Sequence, residues 1–157
     1  MKKITKLTVL GLFLICSLCV FAQEKKISVG LGLEFDMDSR HDFAGGAVLD
    51  SNYNLPNYLA LGFTFAASYN FSNFVSIEPI ILLRRYFSKN DHLGFFGEID
   101  AGAFIYFEDG ETTTFMPEAG LRGGYRHKFG KSFYVEPYGR LGYPFAFGIG
   151  VLLGILF

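Results

Sequence analysis

The segment DMDSRHD, residues 36–42, is the densest group of side chains in this chain that could carry out chemistry. A histidine, a serine and three aspartates could together supply a nucleophile, a base and a carboxylate that orients the base. The same carboxylates could hold Ca²⁺ loosely, although the segment lacks the ordered ligand spacing and the glycine of a calcium loop. The residues concerned are Asp36, Asp38, Ser39, His41 and Asp42.

The other two histidines form weaker groups. His92 has Ser88 and Asp91 nearby, and His127 has no comparable neighbour. Polar turns commonly contain such residues without any chemistry. The sequence therefore predicts no catalytic residue, no metal site and no cofactor.

Charged residues inside apolar runs raise a different question. The stretches YNFSNFVSIEP and RHKFGKSFYVEP both end in a glutamate followed by proline, at Glu78-Pro79 and Glu136-Pro137. A proline forfeits a hydrogen bond in a sheet, and a lone charge in an apolar setting is costly. The two faces of these segments must therefore meet different surroundings.

Period-two alternation of bulky apolar residues with small or polar residues runs through most of the chain and predicts β-strands. In the first such segment, Ile27, Val29 and Leu31 alternate with serine and glycine. The predicted strands are 27–36, 58–71, 74–87, 93–107, 115–129, 133–143 and 145–157, with a weaker one at 43–51. Residues 52–57 are predicted to connect two strands.

Three observations indicate that the bulky face meets lipid. Several segments alternate for 11 to 14 residues, whereas strands of soluble proteins usually have about 5–6 residues and membrane strands about 9–11. The bulky side chains would overfill a small barrel if they pointed inward. The second face of the last segment, residues 145–157, carries glycine, alanine and leucine but no charge, which a water-exposed sheet would not show.

The sequence therefore predicts an all-β fold, a closed antiparallel up-and-down transmembrane β-barrel. Closure is required because unpaired backbone groups in hydrocarbon are costly. Eight strands of about 11 residues leave enough of the chain for the connections between them, and barrels of this type have even strand counts.

Strand parity places nearly all strand charges in the lumen. The predicted lumen network, with Asp36 as a further member, is Glu34, Glu78, Arg84, Glu98, Asp100, Glu118, Arg122, Arg126, Glu136 and Arg140. Arginine favours two-pronged pairing with carboxylates. In a narrow barrel such side chains close the interior, so a structural network is favoured over a selective pore.

Residues 1–22 are predicted to form a cleaved signal peptide, and residues 23–157 the barrel domain. Lysines at the start precede an apolar stretch too short to span a membrane comfortably, and Ala22 is a plausible cleavage point. Cys16 and Cys19 raise a lipoprotein anchor as an alternative, but neither has the preceding small residues that such an anchor requires. Without these cysteines, no disulfide is expected.

The chain end, GIGVLLGILF, resembles the C-terminal signal that the barrel assembly machinery recognises in bacterial outer-membrane proteins. The residues that carry this resemblance are Ile149, Val151, Leu153, Ile155 and Phe157. With the alternation and the signal peptide, the chain resembles the small outer-membrane barrels of OmpA/OmpX-like architecture. The resemblance is one of architecture, without a residue-specific functional motif, and the FAQ ending of the signal is similar to exported proteins of Bacteroidota and spirochaetes.

Several partner and function expectations follow from this resemblance. It implies outer-membrane localisation, contact with outer-membrane lipid, assembly by the barrel machinery and a monomeric state. The net charge of −1 gives no electrostatic reason to expect nucleic acid. A non-enzymatic role is expected (envelope structure, surface interaction or a very narrow channel), with a barrel enzyme acting on lipid as the alternative. Aromatic residues predicted to form girdles at the membrane interfaces are Phe35, Phe71, Phe87, Phe107, Phe129, Phe133, Tyr143 and Phe145.

Overall fold

The structure is a computed structural model, and it describes residues 26–38, 43–70, 74–88, 92–108 and 113–157. The predicted signal peptide and His41 lie outside these ranges. Within these ranges, no helix is long and apolar enough to cross a bilayer.

Eight antiparallel strands form a closed barrel in sequence order. The last strand pairs with the first, so the barrel has no free edge. The predicted fold class and strand number are confirmed. The strands are β1 (Ile27–Asp38), β2 (Phe43–Leu55), β3 (Leu59–Asn70), β4 (Phe74–Tyr86), β5 (Gly94–Glu108), β6 (Thr114–Phe129), β7 (Phe133–Tyr143) and β8 (Phe145–Leu156).

Strand β2 is longer than its sequence pattern predicted. Residues 52–57 were expected to connect two strands, but β2 continues to Leu55. Asn52 and Asn54 are buried, and Tyr53 between them points outward with 46% exposure. The polar residues here face the lumen, so their composition resembles that of a loop although the alternation continues. Asn57 and Tyr58 then make the turn, each with a φ of 62°.

The outer surface of the barrel is apolar around its circumference. Bulky side chains on the outward parity, such as Leu31 and Ile81, are 63% and 65% exposed. Six of the eight predicted girdle residues lie on this surface, and Phe71 is outside the described residues. The six are Phe35, Phe87, Phe107, Phe129, Phe133 and Tyr143.

The prediction for Phe145 was wrong, because this residue points into the barrel. It is 3% exposed, and its ring lies 5.1 Å from that of Phe104 in an edge-to-face arrangement. The pairing of β1 with β8 shifts register between Met37 and Asp38, opposite the start of β8. After the shift, both Ala146 and Phe147 are exposed, so the regular outward parity of β8 begins only at Phe147. A local irregularity of this kind reverses the direction of a side chain.

The connections between consecutive strands are short at both ends of the barrel, with one to seven residues each. The start of β1 and the end of β8 meet at one end of the barrel, where backbone hydrogen bonds join Ile27 and Phe157. We call this the terminal end, and the other, where β1 leads to β2, the distal end. Most of the described chain is therefore barrel wall.

Candidate functional site: the filled polar lumen

All ten predicted lumen residues point inward and are at most 8% exposed, as is Asp36 at 1%. They come from five strands, because every second residue of a strand faces the lumen. By strand they are Glu34 and Asp36 on β1, Glu78 and Arg84 on β4, Glu98 and Asp100 on β5, Glu118, Arg122 and Arg126 on β6, and Glu136 and Arg140 on β7.

Arg84 is the centre of the group nearer the terminal end. Its guanidinium lies 2.7 Å from Glu98 Oε2, 2.9 Å from Glu136 Oε1 and 3.6 Å from Asp50 Oδ2. Arg126 Nε lies 2.5 Å from Glu136 Oε2. We name this group the Arg84 cluster; its members are Arg84, Arg122, Arg126, Asp50, Glu98 and Glu136.

Arg122 completes this group at longer range. Its nitrogens lie 3.5 Å from Glu98 Oε1 and 3.7 Å from Asp50 Oδ2. Its guanidinium carbon is 4.6 Å from the ring centre of Tyr138. Three acids and three arginines thus face one another, and the charges of the Arg84 cluster balance.

Aromatic rings pack against the other two arginines of the Arg84 cluster. The Arg84 guanidinium carbon lies 4.2 Å from the ring centre of Phe96, and that of Arg126 lies 4.1 Å from the ring centre of Tyr134. Such contacts are attractive and are strongest where water is excluded. The rings fill space that the ion pairs leave open.

Arg140 is the centre of a second group nearer the distal end. Arg140 Nη1 donates to Glu34 Oε1 at 2.6 Å and to Glu78 Oε2 at 3.2 Å, and Nη2 donates to Glu118 Oε1 at 2.6 Å. Asp36 Oδ1 is 3.9 Å from Arg140 Nε. We name this group the Arg140 cluster; its members are Arg140, Glu34, Asp36, Glu78 and Glu118.

Asp50 is a lumen residue that the sequence analysis missed. It is fully buried on β2. Its carboxylate accepts a hydrogen bond from the Thr64 hydroxyl at 3.0 Å and another from the side-chain amide of Asn52. The weak pattern of residues 43–51 gave no reliable parity, so Asp50 was not assigned to a face. The alternation of Val48, Asp50 and Asn52 as buried residues is the signal that could have identified it.

Glycines of β8 make room for the large lumen side chains. A Cβ at Gly154 would collide with the ring of Tyr134, and one at Gly150 would collide with the ring of Tyr138. The glycine-rich inner face of the last strand therefore serves packing. A small barrel needs such alternation of small and large residues to fill its interior.

Both ends of the lumen are also occupied. At the distal end, Ala44, Phe104 and Phe145 form a buried apolar cluster. At the terminal end, His92 Nε2 lies 2.9 Å from the carbonyl oxygen of Leu55 and 3.2 Å from that of Leu59. Together with the two charged clusters, the apolar cluster at the distal end and His92 at the terminal end fill the interior.

The histidines seen in the structure do not assemble a reactive group. His92 is engaged with backbone carbonyls, and His127 is exposed on the outer surface. Among the described residues, no group of three or more His, Cys, Asp and Glu side chains could hold a metal ion.

The predicted C-terminal signal residues lie along the outer face of β8. Ile149, Val151, Leu153 and Ile155 are 37–61% exposed. Phe157 follows the strand, and its N–H donates to the carbonyl of Ile27 at 2.8 Å. Recognition of this strand by an assembly machinery stays a prediction.

Solved structures of very different sequence share this fold. Neisserial surface protein A matches with a TM-score of 0.61 and 9% identity, over 83% of this chain and 96% of that chain. The N-terminal β-barrel domain of Pseudomonas aeruginosa OprF matches with a TM-score of 0.59 and 14% identity, over 83% and 97% of the two chains. A de novo designed transmembrane β-barrel matches with a TM-score of 0.57 and 15% identity, over 85% and 99%.

No protein-family model matches the chain, and a search of curated proteins found no significant match. At identities this low, the structural similarities establish the fold alone. One of the matching barrels is a product of design, so any function must be argued from this chain's own surfaces.

Proposed function

We propose that this chain is an integral protein of the bacterial outer membrane whose filled barrel has a non-enzymatic, structural role in the envelope. The observation that carries the proposal is the distribution of side chains, which is the reverse of that in an ordinary soluble protein. Bulky apolar side chains cover the outside, and the charged side chains are buried. A closed barrel with an apolar exterior is one of only two architectures that satisfy the backbone in hydrocarbon.

The outer surface supports lipid contact in detail. Aliphatic residues such as Leu33, Ile99 and Leu121 occupy the middle of their strands and are 56–58% exposed. Many aromatic residues lie nearer the strand ends, where Phe129 and Phe133 stack with ring centres 6.0 Å apart, although Phe63 and Phe65 lie in the middle of β3. An apolar band flanked by aromatic girdles is the pattern of outer-membrane barrels.

The filled lumen supports a structural role over transport. Arg84, Arg126 and Glu136 are at most 1% exposed and bridge strands across the interior. An ion would have to displace paired charges and aromatic rings in turn, since eight-stranded barrels are just wide enough for their side chains.

Short connections favour a role for the barrel wall over recognition by loops. No connection between strands exceeds seven residues at either end, so the conclusion holds for either orientation in the membrane. Outer-membrane barrels usually carry longer loops on the extracellular side. This chain offers little surface outside the bilayer for a large partner.

Two measurements test the proposal. The purified chain, refolded in detergent, should migrate differently on gels before and after boiling, and in planar bilayers it should give no steady conductance. Solubility as a folded monomer without detergent would refute membrane insertion. Large, stable channels would refute the filled lumen while leaving membrane insertion intact.

A further inference from the structure

The charges inside the barrel do not balance. The buried charged residues of the described chain comprise eight carboxyl groups and four guanidinium groups. If all were ionised, the interior would carry four uncompensated negative charges. A buried unpaired charge is severely unfavourable.

Most of the excess negative charge lies in the Arg140 cluster. In the Arg84 cluster three acids meet three arginines, whereas in the Arg140 cluster four acids share the single guanidinium of Arg140. Asp100 on β5 adds a further buried carboxyl group. The Arg140 cluster therefore holds three of the four excess negative charges, and Asp100 holds the fourth.

Asp36 has the poorest pairing of the four acids. Its nearest cation contact is the 3.9 Å separation from Arg140 Nε, which is beyond hydrogen-bond range, and neither of its oxygens has a hydrogen-bond partner in the protein. The residue is 1% exposed. Glu118 uses one oxygen on Arg140, and its Oε2 has no partner.

Several strands contribute titratable or charged groups around Asp36. On β1, Glu34 and Asp36 are two positions apart, so both side chains point into the lumen on the same face of the strand, and both are acceptors when ionised. From β8, the close neighbour of Asp36 is Gly148, which has no side chain. The other members of the cluster are Glu78 on β4, Glu118 on β6 and Arg140 on β7. The titratable or charged groups that face the cluster from outside it are Asp100 on β5, Arg122 on β6 and Tyr138 on β7.

A proton on Asp36 removes one of the excess negative charges and gives this unpaired carboxyl group a hydrogen-bond donor. Protonation makes Asp36 neutral and turns an acceptor into an O–H donor that can reach Glu34, in the way that paired carboxyl groups share a proton. A metal ion would need a suitable set of ligands, and the described residues contain none. We propose that the Arg140 cluster is a buried proton-binding site, and that Asp36 holds a proton at neutral pH, with Glu118 as the next acceptor.

A proton that is bound only in the folded state makes the stability of the protein depend on pH. In the unfolded chain aspartate is ionised at neutral pH, so the folded protein binds more protons than the unfolded one. Unfolding then releases protons, and the folded state loses stability as pH rises. For each proton retained, the unfolding equilibrium constant rises about tenfold per pH unit.

The test counts protons released when the full chain, folded in detergent, is unfolded by urea at pH 7 in weakly buffered solution with an indicator dye. We expect the wild type to release at least one proton per molecule. Asp36→Asn should release about one fewer, and its stability should depend less steeply on pH. Thr64→Val is the control, because Thr64 is fully buried in the lumen but has no titratable side chain, and the proton release of this variant should equal that of the wild type.

The outcomes separate the alternatives. Absence of proton release from the wild type, or equal release from wild type, Asp36→Asn and Glu118→Gln, would overturn the proposal. Stability that depends on the concentration of Na⁺ or Ca²⁺ and not on pH would also overturn it and would identify a cation site. If Asp36→Asn does not fold, as judged by its gel shift, the pH dependence of wild-type stability decides: a urea midpoint that does not fall as pH rises through neutrality would overturn the proposal. The proposed envelope role does not depend on this result, since conductance and gel shift test that separately.

Discussion

Arg84 on β4 and Glu136 on β7 meet inside the barrel, with 2.9 Å between Nη1 and Oε1, although 52 positions separate them in the chain. These strands are not neighbours in the wall. The pair therefore braces the barrel across its interior, between strands three positions apart in the wall, a role that backbone hydrogen bonds between adjacent strands cannot fill. Arg140 makes an equivalent link from β7 to Glu78 on β4.

Removing one partner of this brace should be costly. We expect Arg84→Met to lower the free energy of unfolding by about 3–5 kcal/mol, because it leaves Glu98 and Glu136 with buried charge and no partner on that side. Urea unfolding of the detergent-folded chain measures the loss. Arg85→Met is the matched control, since Arg85 is the next residue and is exposed on the outer face; its effect should stay within about 0.5 kcal/mol. Equal losses for the two variants would contradict the brace.

Glycine is required where β1 meets β8. A Cβ at Gly32 would collide with the backbone carbonyl oxygen of Val151, and a backbone atom cannot move aside as a side chain can. We expect Gly32→Ala to destabilise the barrel by about 1–3 kcal/mol, as overpacking does. Gly139→Ala serves as the comparison, because the nearest atom to its Cβ would be 3.7 Å away. A stable Gly32→Ala barrel with an unchanged urea midpoint would show that the seam can adjust.

The absence of tryptophan from the chain allows a direct test of which face meets lipid. A single tryptophan at Phe63, which is 45% exposed on the outer face, should be quenched by brominated lipids. The same reporter in place of Tyr134, which is fully buried, should be insensitive to them. Quenching of the buried position alone would reverse the assignment of the two faces.

The predicted C-terminal signal can be separated from the stability of the strand. Phe157→Ala keeps the backbone hydrogen bonds that join Phe157 to Ile27, because these involve no side chain. We expect this variant to refold in detergent like the wild type but to yield less folded, membrane-inserted protein in cells. Phe147→Ala, at the other end of β8, controls for loss of an outer aromatic ring. Equal yields for both variants in cells would argue against recognition of the last residue.

Much of the barrel could be predicted before the structure was known. The alternation of Leu61, Phe63 and Phe65 with small residues is a local property, and each side chain's direction in a strand follows from its position parity. Strand number, closure and the inward direction of the charges follow from that parity together with the behaviour of backbone groups in hydrocarbon. Where the parity is broken by a register shift, as between Phe145 and Phe147, the prediction failed.

The sequence by itself determined, where the alternation is regular, which side chains would face lipid and which would share the lumen, because that choice depends on odd or even position along a strand; Phe145 and Asp50 were the exceptions. Only the tertiary structure decided which of them meet. The partners of Arg140 come from β1, β4 and β6, and their distances depend on strand register and barrel width, which no local pattern records. The separation of a balanced cluster around Arg84 from an acid-rich cluster around Arg140 arises in the same way, from closure of the wall around a narrow interior.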